Sequence, residues 1–280
     1  MKAETVKKRL ASRLSIPSLP AVLQKLDELL RDPNVGMQEV GALVGQDPPL
    51  AAKVLRIANS SYYGLREPVV TIEHAAGVLG INALRNMIME ATMFKAWAHL
   101  ENNDTVDIAQ LWRHSILSGR IAQRVASSIG GLPVTKEEMY VAGLLHDIGR
   151  LALLDAFPRE TLQALELAKK DKRLKIECER EVIGLDHAQV GGLIARRWSL
   201  PKPATFAILN HHSLQGSAEE LRVVAVVSIA DQLARAICDS TIGSSSSPVD
   251  RDLMKVLKID METVLGLAAE FRERLSEIEV

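Results

Sequence analysis

Apolar residues recur every three to four positions along almost the whole chain, and β-branched runs with strict alternation are few, so the pattern predicts an all-α protein. Val22, Leu23, Leu26, Leu29 and Leu30 form one apolar face that ends at Asp32-Pro33, because the residue before proline is driven out of the helical region. Gly36 reads as the N-cap of a short helix with Glu39 in its first turn and Val40, Leu43 and Val44 facing inward. Asp47-Pro48 reads as N-cap and N1 of the next, which carries Leu50, Val54, Leu55, Ile57 and Ala58 and ends in Asn59, Ser60 and Ser61. Thr71 caps a helix with Glu73 near its positive end and Ala75, Ala76, Val78 and Leu79 on the apolar side; Gly80 stops it. A longer helix over 82–100 follows.

The polar run Glu101 to Asp107 marks a boundary between two helical subdomains, placed near residue 104. Beyond it the pattern predicts helices over 108–128, 136–156, 159–170, 175–183, 188–198, 203–212 and 218–240, the second opened by the capping box Thr135 to Glu138. Gly243, Ser244 to Ser247 and Pro248 read as a mobile low-complexity loop, and a last amphipathic helix spans 260–278. The organisation is therefore an N-terminal helical subdomain over 1–104, a second helical subdomain over 105–240, and a loop and terminal helix over 241–280. No internal repeat stands out.

With 280 residues and 47% hydrophobic side chains, the chain can build a core without staples, which excludes a disordered chain and a disulfide scaffold. Cys178 and Cys238 match no finger or CxxC spacing and read as ordinary small apolar side chains in a reducing cytoplasm. Met1 to Leu14 carries five Lys/Arg with no apolar segment behind them, so no secretory signal is expected. Val223 to Ala230 falls far short of the ~20 residues of a membrane span. A formal charge of −1 argues against an extended nucleic-acid footprint, and Lys7, Lys8, Arg9 and Arg13 read as a solvated helix face.

Five of the seven histidines fall beyond the polar connector, beside polar partners: His114, His146 with Asp147, His187, and the pair His211-His212. His146-Asp147 follows Val141, Ala142, Gly143, Leu144 and Leu145, a stretch buried on most sides, where an imidazole and a carboxylate cost several kcal/mol unless they pair or ligate a cation. Asp231 lies in an equally apolar helix between Val223 and Ala234. Nitrogen and carboxylate donors together suit Zn, Fe, Mn or Ni. The alternatives are a structural network in which Asp231 pairs with Arg150 or a histidine, and a His211-His212 pair that meets a helix C-terminus. Trp97, Trp112 and Trp198 read as core, Tyr62-Tyr63-Gly64 as an ordered turn, and His74 and His99 as surface or capping residues.

The order His, His-Asp, His, His-His, Asp is similar to the HD superfamily of metal-dependent phosphohydrolases, and the match is closer to its HDOD (HD-related output) branch. It runs over roughly residues 16 to 240 and includes Ile16-Pro17-Ser18-Leu19-Pro20, Gln46-Asp47-Pro48-Pro49-Leu50, Ala58-Asn59-Ser60-Ser61-Tyr62-Tyr63-Gly64 and Trp198-Ser199-Leu200-Pro201. The resemblance implies a helical N-terminal subdomain packed on an HD-like domain. It implies one centre at His114, His146, Asp147 and Asp231 and a second at His187, His211 and His212 bridged by Asp147, with one or two divalent ions. HDOD domains commonly lose part of this set and are regarded as regulatory, whereas all seven positions are kept here. Arg150 stands where two-metal relatives usually have Lys; it can contact a phosphate but cannot titrate. No GYP motif follows, which weakens a cyclic di-GMP phosphodiesterase reading. The expected role is regulatory, in bacterial signal transduction, with a protein partner or a nucleotide-like phosphate ligand; the alternative is a metal-dependent phosphohydrolase or phosphodiesterase using Asp147 and Arg150.

Overall fold

The structure, a computed structural model, describes residues 18–32, 34–100, 106–239 and 248–278. The basic cluster Lys7, Lys8, Arg9 and Arg13, most of the polar connector and the serine run Ser244 to Ser247 lie outside the described residues. Every regular element among the described residues is a helix, and none is long and apolar enough to cross a membrane. They fall into two compact units, one within Pro17–His99 that also takes the end of the chain from Glu273, and one within Leu100–Arg272.

The first unit contains α1 (Ala21–Leu29), α2 (Met37–Gly45), α3 (Pro48–Ala58), α4 (Ile72–Leu79) and α5 (Ile81–Ala96), with α3 packed on α5 and α2 on α4. Its helix starts follow the local chemistry of the sequence. The Asp47 carboxylate accepts from the Leu50 amide at 3.0 Å, and the Thr71 hydroxyl accepts from His74 N at 3.1 Å. Gly80 takes φ 88° between α4 and α5, a value that suits glycine. Asn59 holds the following loop through two 2.8 Å bonds with the backbone of Val69, and Arg85 meets Asp27 with bonds of 2.7 and 3.0 Å that tie α5 to α1. Val78 departs from its predicted inward face: it is 53% exposed, because α4 buries Ile72, Ala75 and Ala76 instead.

The second unit contains α6 (Ile108–Ser128), α7 (Lys136–Leu145), α8 (Ile148–Ala156), α9 (Pro158–Asp171), α10 (Lys175–Val182), α11 (His187–Arg197), α12 (Lys202–Asn210), α13 (Ala218–Cys238), α14 (Arg251–Leu257) and α15 (Met261–Glu273). Helix α6 packs along α7 and α13, and α8 lies on α11. Residues 248–272 join this unit, α14 resting on α13. Trp97, Trp112 and Trp198 are buried, and His74 and His99 are exposed.

The predicted helix over 136–156 is two helices. His146 turns its ring back so that Nδ1 lies 2.7 Å from the Gly143 carbonyl, an acceptor that a continuing helix would use for its own backbone, and α8 restarts after Asp147 at φ −98°, ψ 7°. The single predicted terminal helix likewise divides into α14, α15 and the short 3₁₀ turn Leu275–Glu277.

Close helix crossings depend on glycine. A Cβ on Gly143 would meet the Ser118 carbonyl at 2.7 Å and the Gly119 Cα at 2.9 Å, and one on Gly149 would overlap the His187 carbonyl. Gly149→Ala should therefore cost about 3 kcal/mol of stability in urea unfolding, by forcing α8 off α11. Gly266→Ala, in a helix with open space around that position, should add about 0.5–1 kcal/mol; a neutral Gly149→Ala would show that the crossing is looser than described.

Candidate metal centre

Six helices deliver the predicted residues to one place in the second unit. Helix α6 carries His114, the α7–α8 junction His146 and Asp147, α8 Arg150, the start of α11 His187, the turn after α12 His211 and His212, and α13 Asp231. His114, His146 and Asp231 form one group and Asp147, His187, His211 and His212 a second, with the potential donor atoms of each within 4.8 Å of one another. His146, Asp147, His187, His211 and Asp231 are buried, while His114 is mostly buried and His212 is exposed.

Asp147 stands between the groups. Its Oδ2 lies 3.5 Å from His146 Nε2 and 3.9 Å from His114 Nε2, and its Oδ1 lies 3.3 Å from His187 Nε2 and 3.7 Å from His211 Nε2. Asp231 Oδ1 lies 3.1 Å from His114 Nε2 and 3.5 Å from His146 Nε2.

The local folding orients the rings. His211 ends its helix as His146 does, with Nδ1 2.7 Å from the carbonyl three residues back, at Ile208, and the Ser228 hydroxyl donates to the His211 carbonyl at 2.7 Å. Ser228, which interrupts the apolar run of α13, thus fixes the His211-His212 turn. Asp186 forms a capping box with Gln189 that starts α11 at His187, and Glu179 on α10 accepts from His187 twice, from the backbone amide at 2.9 Å and from Nδ1 at 2.6 Å.

These bonds settle the protons. A backbone carbonyl only accepts, so Nδ1 of His146 and of His211 carries the hydrogen, and Glu179 assigns the same tautomer to His187. The Nε2 atoms of these rings then face the carboxylates of Asp147 and Asp231. Neither oxygen of Asp147 nor His211 Nε2 has a hydrogen-bond partner although all three are buried, and His187 and His212 meet Nε2 to Nε2 at 2.9 Å. Buried carboxylate oxygens without an aligned donor favour a cation beside them, and imidazole with carboxylate is a donor set that fits a divalent transition ion.

Charge within the unit agrees. Burial works to raise the Asp147 carboxyl, but the Arg150 guanidinium, 3.0 Å away through Nε, leads the influences that hold it well below the usual carboxylate range. Burial works the same way on Asp231, opposed by His114, His146 and Arg235, and the net shift is again well downward. His187 is pushed well below the usual imidazole range, first by burial and then by Arg150, so its ring stays neutral at pH 7. Burial pushes the Glu179 carboxyl up to about 7.

Sequence reading missed two of these residues. Arg235 bonds both oxygens of Asp231 at 2.8 and 2.9 Å in place of the Arg150 suggested for that role, and its spacing of four after Asp231 on one helix was a usable signal. Glu179 sits eight residues before His187 on a different helix, and no periodicity announces it.

A family model for the HDOD domain matches residues 16–214. The chain belongs to the HDOD domain family. Its structure is similar over its whole length to that of an HDOD domain protein of unknown function from Geobacter sulfurreducens, with a TM-score of 0.81, 25% identity and 98% of that chain covered. It is also similar in fold to a "Putative phosphohydrolase" from Shewanella amazonensis SB2B, at a TM-score of 0.75 and 22% identity over 97% of this chain and 98% of that one. A Treponema pallidum (strain Nichols) protein is 25% identical over 265 residues, 94% of this chain, and the chain spans about half of that relative's length. In this HDOD chain, ¹⁵N-detected NMR of the metal-free protein at pH 7 should find His187 neutral and protonated on Nδ1; an imidazolium signal for this ring would contradict the effect of its burial.

Proposed function

We propose that this HDOD chain is a regulatory protein of bacterial signal transduction that holds one or two divalent metal ions at its His/Asp cluster. The observation that carries the metal part is the convergence of unpartnered acceptors, above all the two Asp147 oxygens, each turned toward a different histidine group. His114, His146, Asp147 and Asp231 would hold one ion, and His187, His211 and His212 with Asp147 the other. A cytoplasmic setting and a protein partner engaged through residues 16–100 belong to the same reading, supported by the strongly exposed Val70 and Val78 of the first unit.

The second reading is a metal-dependent phosphohydrolase or phosphodiesterase, and one observation favours it. A cavity lined by His114, Arg150, Lys175 and Arg235, with Glu179, Asp107 and Asp239, opens beside the cluster, so three cationic side chains flank the approach to His114. A divalent ion would supply Lewis acidity toward a phosphoryl oxygen and a water of lowered pKa. The chain's own contribution is to hold Asp147 and Asp231 ionised, to keep the His187 imidazole neutral, to turn the ring Nε2 atoms toward the carboxylates, and to offer Arg150 to an anionic group.

Protein prepared without a histidine tag should contain about one or two equivalents of Fe, Mn, Zn or Ni by elemental analysis, and Asp147→Ala should remove most of it. Absence of metal after supplementation would overturn both readings. Glu179→Gln should weaken metal binding by about 10–100-fold through loss of the acceptor that orients His187. Turnover of a phosphoester panel that vanishes in Asp147→Ala would select the hydrolase; metal without turnover, with partner capture dependent on residues 16–100, would select the regulator.

A further inference from the structure

The cavity beside the cluster has two chemically different walls. One is charged: Arg150, Lys175 and Arg235, with the carboxylates of Glu179, Asp107 and Asp239 lining the same cavity. The Arg150 Nε is buried 3.0 Å from Asp147 Oδ1, and Lys175 has no carboxylate within ion-pair distance among the described residues, so the terminal nitrogens of Arg150 and the Lys175 amine keep donors for something else. Three cations side by side repel one another, which pushes the Lys175 amine down after the larger effect of burial. An anion seated among them would relieve that repulsion.

The other wall is aliphatic, formed by Leu111, Leu153, Leu154 and Leu165 from α6, α8 and α9, with Val106 at the edge. No Phe, Tyr or Trp lines the cavity among the described residues. A nucleobase is ordinarily read by stacking on an aromatic ring. This cavity instead presents branched alkyl groups across a volume of about 300 Å³, at the lower end for small-ligand pockets.

We propose that this cavity binds an amphiphilic anion, a phosphate monoester with a short aliphatic body. Its head meets Arg150, Arg235 and Lys175 beside the His/Asp cluster, and its alkyl part lies on Leu111, Leu153, Leu154 and Leu165. The inference deepens the proposed metal centre by naming the ligand class of the same site, and it replaces the nucleotide-like ligand expected from the family resemblance.

Isothermal titration of the full chain with hexyl phosphate, inorganic phosphate and adenosine 5′-monophosphate tests it, with metal content measured on each sample. Hexyl phosphate should bind at least about tenfold more tightly than inorganic phosphate, and more tightly than the nucleotide. Leu111→Gln and Leu165→Gln, both at half-buried positions, should each erase most of the alkyl advantage while leaving inorganic phosphate unchanged. Lys175→Gln should weaken both alkyl and inorganic phosphate. Equal binding of hexyl and inorganic phosphate, or tighter binding of the nucleotide, would overturn the inference. Metal present without an alkyl preference would overturn this inference and leave the metal centre standing. An alkyl preference in a chain that holds no metal after supplementation would do the reverse.

Discussion

Buried carboxylates and imidazoles gathered in one place are the constraint around which the second unit is arranged. Two carboxylates and three imidazole rings whose Nδ1 hydrogens are fixed share a small volume, and the oxygens of Asp147 make no aligned hydrogen bond although Arg150 Nε lies 3.0 Å from one of them. A fold that optimised only its own stability would fill such a volume with apolar side chains, because unpaired buried polar atoms each cost about 1–3 kcal/mol. Keeping them there makes sense when a cation supplies the missing interaction, and the surrounding structure can be understood as the means of holding acceptors in place without one.

Those means are local and recurrent. Twice a histidine closes its own helix by bonding back to the carbonyl three residues earlier, at His146 and at His211, so the element ends where the ligand atom must turn inward. Once a helix begins at a histidine, with Asp186 as its cap and Glu179 gripping both nitrogens that face it. Arginines complete the set, Arg150 beside Asp147 and Arg235 on Asp231, and they keep the two carboxylates charged where burial alone would neutralise them. Glycines at 119, 143 and 149 let helices cross closely enough for atoms from six of them to converge.

Helices were legible because helix chemistry is local. Asp47, Thr71 and Thr135 cap the helices their neighbours predicted, and α6 runs from Ile108 to Ser128 as its apolar period requires. The break at His146 was hidden for an equally physical reason: apolar residues continue at the helical period across it, and only the ring's bond to Gly143 stops the helix. Val78 went the other way, an apolar side chain with the right period that no neighbouring helix covers.

What the sequence determined by itself was the helical class, most helix starts, and the seven ligand-type residues, whose presence in so apolar a setting demanded partners. Their grouping, the sharing of Asp147 between two histidine groups, the orientation given by Glu179 and the pairing of Arg235 with Asp231 were decided only in three dimensions. The reason lies in range: caps and periods are written between residues three or four apart, whereas His114 and Asp231, or Glu179 and His187, meet only after whole helices have packed.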